Sequence, residues 1–127
     1  MSVLRGVQSV SYEAGAVLGQ YIPVKLSNGK VVKATGQGDI IRGITLIDSI
    51  RVGDGIDIAI NSGCTVLCKV GTGGWTAGAK LGLGTDFESL VAYNPVVHNQ
   101  VIGIAETTES TVGVLAPVTL LLQVKTA

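Results

Sequence analysis

The chain has 127 residues and a mass of 13.0 kDa, a size that fits one domain with a real core. Nine basic and nine acidic residues cancel to a formal net charge of zero, and only 14% of residues are charged, so there is no electrostatic footprint for nucleic acid or an anionic membrane. A mean hydropathy of +0.51 at zero net charge points to surplus apolar surface that has a partner, because small soluble domains keep apart through charge.

Every apolar run is broken before the ~20 residues that a spanning helix needs. The opening MSVLRGVQSV lacks the apolar core and cleavage site of a signal peptide, so synthesis in the cytosol and no membrane partner are the expectations.

Residues 1–12 alternate weakly, with Val3, Leu4, Val7 and Val10 among polar neighbours, and read as an extended N-terminal arm. Such an arm is ordered when it adds to the edge of a neighbouring sheet, which makes these four residues candidate contacts. A single all-β domain over 13–127 follows. Ala14-Gly15-Ala16 opens it, and 21–26 form a strand that Pro23 confines to an edge or a strand start. Asn28-Gly29 between two alternating runs is a hairpin signal, with 31–35 as the return strand.

Residues 39–60 are the stretch that the chain says twice. Displaced by 60 positions, Gly43 falls on Gly103, Ile44 on Ile104, Val52 on Val112 and Gly53 on Gly113, and Ile41, Ile58 and Ile60 fall on Val101, Val118 and Leu120. The unit reads as strand, turn, strand. Gly43 marks a bulge or close backbone approach, Gly53-Asp54-Gly55 a tight turn, and Ile56-Asp57-Ile58-Ala59-Ile60 a strand with one apolar face.

Residues 64–70 follow as a central strand. Cys64 and Cys68 share a face but stand about 13 Å apart at ~3.3 Å per residue, too far for a bond, and read as buried thiols. Gly71-Thr72-Gly73-Gly74 reads as a joint, after which Ala77-Gly78-Ala79 echoes Ala14-Gly15-Ala16. Two pseudo-repeats, about 14–70 and 77–124, are therefore expected. Trp75 is either a core residue or an aromatic contact for a partner. In the second copy 88–93 form a strand, 106–111 a solvated loop, and Leu120-Leu121-Leu122 lie in a closing strand covered on both sides. The absence of capped helical periods and 18 glycines make the chain all-β, a small barrel or sandwich, and closure of exposed edges favours the barrel.

No catalytic constellation accompanies this framework. His98 is the single histidine and has no nucleophile motif beside it. With Cys64 and Cys68 it makes three dispersed ligands, short of a zinc site, and Asp48, Asp54 and Asp57 miss the spacing of a calcium loop. The glycine run 71–74 lacks the lysine and hydroxyl of a phosphate loop. No enzyme, metal or cofactor is expected.

Lys33-Ala34-Thr35, Gly38-Asp39-Ile40, Gly43-Ile44 and Gly53-Asp54, set within 14–123, resemble the small capsid decoration, or cement, proteins of tailed bacteriophages. The resemblance implies a non-enzymatic virion protein, made in the host cytoplasm, that binds the outside of an assembled capsid and stabilises it. It implies the major capsid protein as partner and self-association as a homotrimer, where many repeated sites add avidity to weak single contacts. A ligand- or glycan-binding β module, such as a domain of a phage tail or fibre, is the alternative, against which an aromatic content of 4% counts.

Overall fold

The computed structural model describes residues 5–49 and 51–125. Among them there are ten strands and no helix: β1 (Ser9–Glu13), β2 (Pro23–Ser27), β3 (Lys30–Lys33), β4 (Gly43–Thr45), β5 (Gly55–Ala59), β6 (Thr65–Val70), β7 (Lys80–Leu83), β8 (Ser89–Ala92), β9 (Gln100–Ala105) and β10 (Leu115–Val124). The first five form a sheet in the order β1-β5-β4-β2-β3, and the last five close into a barrel, β10-β6-β8-β7-β9. The all-β class agrees with the sequence reading, and the expected closure into a barrel is met by the last five strands only, the first five keeping an open sheet.

Local chemistry places the elements. Asn28 and Gly29 sit at φ 53° and 78°, the left-handed pair that turns β2 tightly into β3. Pro23 begins β2, where its missing N–H costs no ladder bond. A Cβ on Gly43 would strike the carbonyl oxygen of Ala59, and one on Gly103 would strike Val118 and come within 2.7 Å of the Thr119 oxygen. The repeated glycine is a close backbone approach in both copies.

Ladder register makes the duplication explicit. Ile44 and Thr45 pair with Ala59 and Ile58, and 60 positions on Ile104 and Ala105 pair with Thr119 and Val118. Val10 opposes Ile58 as Val66 opposes Val118, so β1 and β6 are equivalent strands. Val24 opposes Gly43 as Leu81 opposes Gly103, which equates β2 with β7. The units therefore run from β1 to β5 and from β6 to β10, a different division from 14–70 and 77–124. The Ala-Gly-Ala echo that suggested the earlier boundary is a match of composition: Gly15 corresponds to Gly71, which donates to Leu90 as Gly15 does to Val31, both at 2.8 Å. The joint between units is 60–64, and Gly71-Thr72-Gly73-Gly74 lies inside the second one.

Closure separates the two copies. In the second, β6 and β8 pair in parallel through Lys69 with Ser89 and Val70 with Leu90. In the first, the corresponding edges meet at one parallel bridge, Ala14 with Val31, beside the Lys30–Glu13 ion pair at 2.9 Å. The larger core cluster fills the closed barrel and takes in Ile41, Ile44 and Ala59 from the first unit; a smaller one, around Val24, Val31, Ile56 and Ile58, fills the open sheet. Gln100 joins the halves: its buried side-chain amide accepts from the Ile41 N–H at 2.7 Å and donates to the Ile41 carbonyl at 2.9 Å.

Two local expectations change. The consecutive leucines reflect a register shift between Leu120 and Gln123, with Leu122 at φ 50°, and Leu121 and Leu122 are only half-buried. Residues 106–111 are not simply a solvated loop. Glu106 reaches back to accept from the Thr65 and Thr119 hydroxyls at 2.8 and 3.0 Å and from Arg5 at 2.7 Å.

Candidate contact surfaces

His98 and the two cysteines are absorbed by the fold. His98 is buried, with Nδ1 accepting from the Asn94 N–H at 2.9 Å and Nε2 2.8 Å from the Leu83 carbonyl, so the proton sits on Nε2. Its ring stacks on Tyr93 and covers the face of Gly82, where a Cβ would clash with it. Burial pushes both the Cys64 and the Cys68 thiols up, away from the reactive thiolate. Among the described residues no three His, Cys, Asp or Glu side chains stand close enough to hold a metal ion.

The carboxylates with partners act as fasteners. Lys25, together with the backbone of Thr35 and Gly36, holds Asp39 below the usual carboxylate range. Glu88 is lowered by Lys33, at 2.6 Å, with Lys69 adding to it, and so ties the first unit to the second. Glu106 is lowered by the Thr65 and Thr119 hydroxyls and by Arg5.

The proposed arm residues fall in different places. Val3 and Leu4 lie outside the described residues. Val7 packs on the large core, and Arg5 exchanges backbone bonds with Thr65 at 3.1 and 2.8 Å, so this stretch lies on its own chain. Ser9–Glu13, part of the expected arm, is strand β1. Val10 is 38% exposed where its equivalent Val66 is fully buried. Trp75 is 4% exposed and donates its indole N–H to the Leu90 carbonyl at 2.8 Å. That makes it a core residue and removes it from the contact surface.

Two open features remain. One is the outer edge of β1, which has β5 on one side and, among the described residues, meets β3 only at its end, through the Glu13–Lys30 ion pair and the Ala14–Val31 bridge; the equivalent edge of β6 is bonded by Arg5 at Thr65. The other is a groove of about 560 Å³ where the halves meet, lined by Leu26, Ile40, Arg42 and Ile60 of the first unit and Leu121 and Leu122 of the second. Arg42 is its single charged residue. The Arg42 Nε–H donates to the Tyr12 hydroxyl at 3.0 Å and its guanidinium lies 5.7 Å from the Tyr12 ring centre, and it forms no ion pair with a described residue.

At the equivalent positions of the closed unit stand Leu83, Ile102 and Leu120, all buried. Alignment of the copies carried this signal in sequence, since the charged Arg42 falls on Ile102.

No family model matches the chain, and no curated protein matches it. Among solved structures, the fold is similar to the N base of the head fibre gp8.5 of bacteriophage phi29, with a TM-score of 0.68 and 18% sequence identity. The likeness covers 94% of this chain and 98% of that one, so both halves belong to the shared fold.

Proposed function

We propose that this protein is a structural component of a bacteriophage virion that binds the outer surface of the assembled head as a decoration or cement protein, without catalysis. The likeness in fold to the phi29 head fibre base, over nearly the full length of both chains, is the observation that carries the reading. The surface supports it: zero net charge, exposed valines at the turn tips Val52 and Val112, an aliphatic groove and a β1 edge that the described residues leave uncovered suit repeated contact with neighbours. The partners in this reading are the major capsid protein and further copies of the chain, associating as a homotrimer.

A module at the base of a projecting fibre is the second reading, favoured by the name of the neighbour itself. Glycan binding is disfavoured, because no aromatic residue lines the groove on which a sugar could stack.

The test is to mix purified protein with empty heads of its own phage, sediment them, and image the pellet by electron microscopy. A decoration protein pellets at a fixed ratio to coat protein and raises the melting temperature of the shell. A fibre module localises to the base of projecting fibres. Protein that stays in the supernatant overturns both readings.

A further inference from the structure

The end of the first unit that holds Arg42 is open, and the other end of that unit carries a feature that matches it. Strand β4 leads from Arg42 at the groove to the loop that begins at Leu46, so groove and loop lie at opposite ends of one strand. On that loop Ile47 is exposed and Asp48 is exposed beside it, and Asp48 makes no ion pair with a described residue.

The other acidic groups do not offer this combination. Glu13, Asp39, Asp54, Glu88 and Glu106 are paired with cations. Asp86 and Glu109 accept nearby backbone N–H groups, and Asp57 stands between the buried Ile56 and Ile58.

We infer that the groove is the socket for a second copy of this chain, which inserts its Ile47-Asp48 loop so that Ile47 meets Leu26 and Ile40 and Asp48 pairs with Arg42. Three observations support this occupant. The groove is aliphatic with one cation, and the loop is aliphatic with one anion, so charge and polarity are complementary. Leu26 and Ile40 are each 45% exposed, whereas the equivalent of Leu26 in the closed unit, Leu83, is 1% exposed, which marks what a covered version of this end looks like. Socket and plug occupy opposite ends of the unit, so the contact is head-to-tail and a closed ring satisfies both in every copy.

This inference rests on the self-association in the reading above, not on binding to the head. Sedimentation velocity across a concentration series tests it on the full chain, with Arg42→Glu, Asp48→Arg and the double charge swap, each checked for unchanged melting. Either single change weakens association by at least about tenfold, and the swap restores it, which a merely structural role for Arg42 would not produce. Asp48→Arg lies on an exposed loop and keeps the test decisive if Arg42→Glu does not fold. A wild-type chain that stays monomeric, or single variants that associate like wild type, overturns the inference. So does loss of head binding in Arg42→Glu with association intact, because the coat would then occupy the groove. Head binding by the wild type, measured separately, decides the decoration reading in each case.

Discussion

Residues 9–59 and 65–124 repeat the same strands in the same register, yet the second unit closes into a barrel and the first stays open along β1. The difference lies in what the first strand of each unit brings. In β6, Thr65, Val66, Cys68 and Val70 are all buried, and the parallel ladder to β8 forms at the end of the strand, through Lys69 and Val70. In β1, Ser9, Val10, Ser11 and Glu13 are exposed and Tyr12 is half-buried, so too little apolar surface is gathered for closing the seam to offset the ordering it requires. One backbone plan thus yields a sealed unit around the larger core and an unsealed one that keeps an open edge and one wall of a groove.

The strongest way to break this comparison is to truncate the same position in each copy. Leu120 is fully buried in the barrel and Ile60 is half-buried at the groove. Leu120→Ala should cost about 3 kcal/mol and Ile60→Ala well under half of that, measured by urea unfolding. Equal losses would mean that the first unit is as tightly sealed as the second.

Glu106 tests the polar fastening of the closed unit, since its counterpart in the first unit is Leu46. Its carboxyl is lowered in the fold, chiefly by the Thr65 hydroxyl, so its contribution is complete above the ordinary carboxylate range and is lost as pH falls through the depressed folded value. Glu106→Gln should lower stability by about 1 kcal/mol at pH 7 and should match wild type in acid. A loss that persists unchanged at low pH would assign the effect to packing instead of charge.

The smallest effect is expected at the open seam. Val10→Thr on the exposed β1 should change melting by less than about 0.5 kcal/mol, while Val66→Thr at the equivalent buried position should cost several times more. Parity between them would show that the β1 edge is covered.

Much of the framework was legible from residues alone. The period-two alternation of Ile56, Ile58 and Ile60, the Asn28-Gly29 turn, Pro23 at a strand start and the matched glycines 43 and 103 are local statements, because a strand's faces and a tight turn are written within a few residues. The balance of nine basic and nine acidic residues and the 60-residue displacement that announces two copies are likewise properties of the chain as a string. Other features needed the fold. The parallel β6–β8 closure, the amide of Gln100 on the Ile41 backbone, the indole of Trp75 turned inward to Leu90 and the groove around Arg42 all join residues 15 to 60 or more positions apart. No local pattern marks such partners, since each pairing is chosen by which apolar faces can be buried together once both units exist. The sequence by itself determined two β units with one face each to bury; the tertiary structure decided which of the two would seal and which would keep its end open.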